Sequence, residues 1–204
     1  MTIDESRLRF CFEDKAKALK YDESSFYRRY VNQLPSAKGV DFISIQEGRL
    51  IFTEVKNFKD YEFENMWRIW PDNKRRNSSY TAASTVGRDS LDVEISEKVA
   101  MTIGGLIGAY TKTAGCEAAE ALSHYAEVLI SSAVKAGSRQ LLIILFLEGD
   151  FGCETRPKKV IMRELERSIK KKLSWLNCLV SVVDSDTYQK KIFQVERLNN
   201  NSSS

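Results

Sequence analysis

Two apolar runs of strand length, residues 40–46 and 49–58, are rich in Ile, Val and Phe and flank Glu47-Gly48. Runs of this kind read as paired strands. Gly48 can take the positive φ that a tight two-residue hairpin needs. If Glu47 and Gly48 form the loop, Gln46 faces Arg49, and the register follows pair by pair until Asp41 falls directly opposite Glu54. Lys56 lies two residues beyond Glu54 and shares its face. A single short hairpin therefore sets the relative positions of two carboxylates and an ammonium.

Like charges directly opposite one another destabilise a sheet, so the Asp41–Glu54 pair calls for a positive charge between them. A hard divalent cation with oxygen ligands meets that demand, and Mg²⁺ commonly uses one or two carboxylates plus water and substrate phosphate. Beside an ammonium, such a cation can hydrolyse a phosphodiester. The competing reading is a solvated hairpin face, since an acid–x–Lys tripeptide is common. The apolar neighbours Ile51, Phe52 and Phe58 point instead to a core strand.

Gly39-Val40-Asp41, a twelve-residue gap and Glu54-Val55-Lys56 together resemble the signature of the PD-(D/E)xK nuclease superfamily, with Val40 in place of the proline. The wider stretch is similar to a set of small bacterial proteins of that type. It takes in residues 20–29, Lys38–Asp41, Glu54–Phe58, Glu97-Lys98-Val99 and Thr102–Leu106, within about residues 7–110. The resemblance implies a restriction-endonuclease-like fold: α/β, with a mixed central sheet flanked by helices. It also implies a Mg²⁺- or Mn²⁺-dependent nuclease, with DNA as the expected substrate. Asp41 and Glu54 would be metal ligands joined by the Val55 carbonyl, and Lys56 would orient water or stabilise developing negative charge. Members often add an acid from the first helix. Asp22, Glu23 and Glu13 are the candidates, with Asp22 preferred, although it also suits a helix N-cap. Lys98 would face the site and contact a phosphate, or pair at the surface. The alternative function is a catalytically inactive nucleic-acid-binding or assembly module on the same fold. A homodimer is expected by analogy with two-strand cleavage.

Composition constrains less. The chain has 204 residues, 43% hydrophobic and 29% charged, which suits one globular domain over 1–198 with a disordered tail at 199–204. A net charge of +3 neither requires nor excludes nucleic acid. Cys11, Cys116, Cys153 and Cys178 are scattered without a Cys-x-x-Cys, which reads as reduced thiols. His124 is the single histidine, which argues against histidine-based catalysis or a histidine metal cluster. Residues 1–6 show no signal segment, and the apolar run 141–147 is too short to span a bilayer. The expectation is a cytoplasmic protein with no membrane partner.

Leu8, Phe10 and Phe12 alternate as in a strand, and Phe26, Tyr27, Tyr30, Val31 and Leu34 follow helical spacing up to Pro35. Residues 59–91 form a long polar connection with Trp67, Trp70 and the basic cluster Lys74-Arg75-Arg76. Such a loop either meets nucleic acid through phosphate contact and base stacking, or packs its tryptophans back on the core. A helix is expected over 92–113 with Val93, Val99, Ile103, Leu106, Ile107 and Tyr110 on its apolar positions. Gly104-Gly105 there would weaken the helix or admit a close neighbour. A second is expected over 117–136 ending at Gly137, and a basic one over 158–174 with Val160, Ile161, Leu165, Ile169 and Leu173 inward and Lys170-Lys171-Lys172 solvated. Residues 140–147 and 178–183 read as buried strands, and 191–197 as an edge strand.

Overall fold

The computed structural model describes residues 1–77, 88–131, 134 and 141–198. A five-stranded mixed sheet forms its centre, built from β3 (Lys17–Lys20), β4 (Phe42–Gln46), β5 (Arg49–Asn57), β6 (Leu141–Glu148) and β7 (Cys178–Val183), in that spatial order. The first three strands pair antiparallel, and β5, β6 and β7 run parallel. The β4–β5 register is the one the hairpin dictates, with Gln46 opposite Arg49 and Phe42 opposite Thr53. Glu47 and Gly48 both have positive φ, 49° and 70°, as a two-residue hairpin loop with matching twist requires.

The two faces of this sheet are covered differently. Ile43, Ile45, Leu50, Phe52, Leu141, Ile143 and Leu145 pack on the helical side. There lie α1 (Ser25–Arg29), α3 (Leu91–Thr111), α4 (Glu117–Leu129) and α5 (Lys158–Lys172), while the short α2 (Glu62–Asn65) belongs to the connection after β5. The alternate residues Phe42, Ile51, Val55, Leu142, Ile144 and Phe146 build a second core beneath a small antiparallel sheet. That sheet has the order β1 (Thr2–Glu5), β2 (Leu8–Cys11), β8 (Gln194–Arg197). Phe10 is its anchor, with Phe42, Phe146 and Phe193 rings within 5.0–5.3 Å. The α/β class with a mixed sheet and packed helices is therefore as expected. β2 and β8 match the strands expected at 7–12 and 191–197, whereas β1, β3 and the pairing of β1, β2 and β8 into a separate sheet are new. Leu8, Phe10 and Phe12 do share one buried face.

Several expectations are corrected in detail. α1 is capped by Ser24, whose Oγ accepts from the Tyr27 amide at 3.2 Å, so Asp22 is not the N-cap. α1 yields after five residues to a 3₁₀ turn, and Leu34 is exposed. The buried stripe of α3 is Leu91, Ile95, Val99, Thr102, Leu106 and Ala109. Ile107 and Tyr110 are exposed, and Val93 and Ile103 only half-buried, because the helix packs one step round from the Val93–Ile107 line. In α5, Val160 is exposed and Met162 takes an inward place. Lys172 is not a free helix end: it pairs with Asp72 and, at 2.8 Å, with the fully buried Asp92. β7 is a sheet edge with Leu179 exposed rather than a fully buried strand. Trp67 packs into the interior at 1% exposure, and the Trp70 ring carries the guanidinium groups of Arg75 and Arg156. Gly137, residues 78–87 of the connection and residues 199–204 lie outside the described residues. No helix among the described residues is long and apolar enough to cross a membrane.

Gly105 explains part of the Gly-Gly pair on α3. A Cβ there would stand 1.9 Å from the Tyr21 hydroxyl oxygen, so the close neighbour is the Tyr21 side chain. Gly104 faces open space. The Tyr21 hydroxyl is buried without a hydrogen-bond partner among the described residues, and a buried unbonded polar group costs about 1–3 kcal/mol. Two substitutions follow. Gly105→Ala overpacks the contact and should destabilise by about 1–3 kcal/mol in urea unfolding. Tyr21→Phe should be neutral or stabilising, and should recover part of the Gly105→Ala loss in the double variant. A destabilising Tyr21→Phe would show that the hydroxyl has a partner after all.

Candidate functional site

The β4–β5 ladder stops at Phe42 and Thr53, one residue short of Asp41 and Glu54. There the Asp41 side chain takes over from the backbone: its Oδ2 accepts the Val55 amide at 2.7 Å, while its carbonyl accepts from Tyr21 N. Glu54 and Lys56 stand on the helical side of β5, in line with Leu50 and Phe52. Asp41 is 7% exposed and Glu54 is fully buried. The reading of a core strand rather than a solvated face is therefore the one the structure bears out.

Helix α3 crosses this point and contributes Glu94 and Lys98, one turn apart. Lys98 Nζ lies 2.5 Å from Glu54 Oε1 and 3.5 Å from Asp41 Oδ1. Lys56 Nζ lies 2.7 Å from the same Glu54 oxygen and 2.8 Å from Glu94 Oε1. The other Glu94 oxygen pairs with Arg68, which reaches in from the connection after β5, stacks over Phe58 and donates from Nε to the Asp89 carbonyl. The result is a buried row of alternating sign: Arg68, Glu94, Lys56, Glu54, Lys98, Asp41. Three cations face three carboxylates. Desolvating an ion costs several kcal/mol, and alternation is what makes the row tolerable.

The protonation equilibria reflect this. Burial, and then Glu54, push Asp41 up to about 7. Burial opposes the charge on Glu94, but Lys56 and Arg68 outweigh it and bring the group down to about 2. Burial likewise opposes the charges of Lys56 and Lys98, yet the flanking carboxylates raise both. Asp22 is pushed up to about 6 by burial and by Glu5, with Lys98 pulling the other way.

Of the expected residues, Asp41, Glu54, Val55, Lys56 and Lys98 come together. Asp22 lies within the field of Lys98, with its Oδ1 buried and unpartnered among the described residues. Glu23 is engaged by Lys20 at 2.7 Å, and Glu13 is exposed. The basic cluster is used elsewhere or exposed: Arg75 lies over Trp70, Arg76 pairs with Asp89 at 3.2 Å, and Lys74 faces solvent. His124 is exposed beside Glu127, and the four cysteines are free thiols. Glu94 and Arg68 escaped the sequence reading. Glu94 had a signal, since Glu94 and Lys98 are an i, i+4 pair on one helix face. Arg68 had none, because its position depends on how an aperiodic connection packs.

Oxygen chemistry suits a hard cation here. Glu54 Oε2 is buried and unpartnered among the described residues, as is Asp22 Oδ1. Among the described residues, no three His, Cys, Asp or Glu side chains are grouped closely enough to hold a metal by themselves. A cation would need backbone oxygen and water as well, the usual habit of Mg²⁺.

A family model described as a family of unknown function (DUF6661) matches residues 24–197, most of the chain. The chain belongs to that family. The match spans Asp41, Glu54, Lys56, Arg68, Glu94 and Lys98, and begins two residues after Asp22. No curated protein and no solved structure matches the chain.

Two stability predictions follow. Asp41 binds its proton more tightly folded than unfolded, where an Asp titrates near 3.9. Its contribution therefore falls as pH rises from about 4 to about 7, and the penalty is complete above that. In EDTA at pH 8, Asp41→Asn should be more resistant to urea than the wild type, by up to about 4 kcal/mol, and the gap should close toward pH 4. Glu94 behaves oppositely: its contribution is present above about 4.5 and is lost as pH falls toward about 2. Glu94→Gln should cost about 3 kcal/mol at neutral pH, leaving Arg68 and Lys56 short of a counter-charge. A neutral Glu94→Gln would count against the buried row.

Proposed function

We propose that this protein is a metal-dependent nuclease that hydrolyses phosphodiester bonds, with DNA as its substrate and Mg²⁺ or Mn²⁺ as its cofactor. The observation that carries the reading is the hairpin register, which brings Asp41 beside Glu54 with Lys56 on the same buried face. The resemblance to PD-(D/E)xK nucleases rests on the same residues, and the mixed sheet with hairpin and parallel strands is compatible with a restriction-endonuclease-like fold.

Asp41, Glu54 and the Val55 carbonyl are the residues that would hold the metal, with Asp22 as the proposed additional acid. The bound cation would act as a Lewis acid on the phosphate and acidify the attacking water. Lys56 orients that water or stabilises the negative charge that develops on the phosphate oxygens. Its ammonium stays protonated, raised by Glu54 and Glu94 against the opposing effect of burial, so it serves as a donor and not as a base. Glu94, anchored by Arg68, holds Lys56 in place. Lys98 is the cation best placed to meet a substrate phosphate. Lys74, Arg75 and Arg76 would contribute more distant backbone contacts. Cytoplasmic location and a homodimer belong to the same proposal.

One observation favours a second reading, a non-catalytic nucleic-acid-binding or assembly module. Each carboxylate of the row already has an ammonium or guanidinium partner, so the row is balanced as it stands. The deciding experiment incubates the protein with plasmid, linear, branched and single-stranded DNA and with RNA, in Mg²⁺, Mn²⁺ or EDTA. Cleavage that needs the metal is expected, with a loss of at least about 100-fold in Asp41→Asn, Glu54→Gln and Lys56→Met. Metal-independent binding without cleavage on every substrate would favour the module.

A further inference from the structure

We propose that the Lys98 ammonium occupies the cation position of the site in the metal-free protein, and that metal binding displaces it. The inference rests on the metal-site reading above and adds what happens to this side chain when the site loads. Lys98 Nζ touches Glu54 Oε1 at 2.5 Å and stands 3.5 Å from Asp41 Oδ1, between the two carboxylates that would ligate the metal. A Mg²⁺ ion sits about 2.0–2.1 Å from its oxygen ligands. An ion held between Asp41 and Glu54 would repel an ammonium on the same two carboxylates and compete with it for them.

Lys56 shares the Glu54 oxygen but is not equivalent. It also pairs with Glu94 at 2.8 Å, a carboxylate outside the metal position and itself fixed by Arg68. The acids within ion-pair distance of Lys98 are Asp41 and Glu54, the two that the metal would take. When a dication arrives, Lys56 keeps a partner and Lys98 loses both. Exposure does not separate the two, at 15% for Lys98 and 17% for Lys56, so the difference lies in their partners. The chain thus carries a tethered stand-in for its metal. The stand-in balances the Asp41–Glu54 pair when the site is empty, and becomes a free cation at the site only when the metal is present.

The test uses the full chain and Mg²⁺ alone. Lys98→Met keeps the stem and removes the charge. Lys38→Met is the control, because Lys38 pairs with Glu97 and Asp89 outside the row. Calorimetry should show Mg²⁺ binding tighter by tenfold or more in Lys98→Met than in the wild type, with Lys38→Met unchanged. In EDTA, Lys98→Met should melt at lower temperature than the wild type and recover the loss in Mg²⁺. A readout on the wild type avoids dependence on the variant's folding: reductive methylation of Lys98, mapped by peptide mass, should rise severalfold when Mg²⁺ is added. Tighter binding in Lys98→Met without a change in Lys98 reactivity overturns the inference, since loss of a nearby positive charge alone raises affinity. Equal binding in both proteins with unchanged reactivity also overturns it, while leaving the metal site standing. Absence of Mg²⁺ binding in every protein overturns the inference and the metal-site reading together.

Discussion

The rest of the site depends on where one antiparallel ladder stops. Had β4 continued through Asp41, the Val55 amide would have met a backbone carbonyl. Because the ladder ends at Phe42, the Asp41 carboxylate accepts that amide instead and turns onto the helical face beside Glu54. Two negative charges are then buried at the junction between the antiparallel and parallel halves of the sheet. Everything else in the neighbourhood answers that charge. Helix α3 supplies Lys98 to the pair, and β5 supplies Lys56 two residues along. Lys56 in turn requires Glu94, and Glu94 requires Arg68.

Such a row is a poor way to obtain stability and a good way to obtain position. Apolar side chains of similar volume would hold the hairpin to α3 at lower desolvation cost. What charge adds is that each member fixes the next. Lys56 cannot drift without breaking its contacts to two carboxylates, and Arg68 ties the row to the connection after β5 through Asp89. That connection therefore has a structural role that its polarity hides. Trp67 and Ile69 are buried beside Arg68 in the same turn.

The hairpin was legible because its information is local: turn residues, period-two alternation and a register that can be counted. β6 and α5 were legible for similar reasons, as an unbroken apolar run and a strong helical period. The orientation of α3 was not, since Val93, Ile107 and Tyr110 make as plausible a stripe as the one that is buried, and only packing against β5 and Tyr21 decides between them. Arg68 and the assembly of the small sheet were illegible for another reason: β2 and β8 could be read as strands, but their pairing joins segments far apart in sequence and leaves no period behind. The sequence reading set a metal ion between Asp41 and Glu54 and turned Lys98 toward the site, but that the Lys98 ammonium itself meets both carboxylates follows only from the packing of α3.

The small sheet has a consequence for how the chain reaches this structure. Its middle strand, β2, pairs with β8, so that Leu8 lies opposite Arg197 across nearly the whole length of the chain. Phe10, Phe42 and Phe146 are sealed from water only with Phe193 in place, just before β8. During synthesis the cover of the second face of the central sheet therefore stays incomplete until Phe193 and β8 have emerged. Contacts of such long sequence separation form slowly, and exposed apolar sheet surface invites association in the meantime. The face opposite the charged row is thus closed by a contact of long sequence range, between β2 and β8.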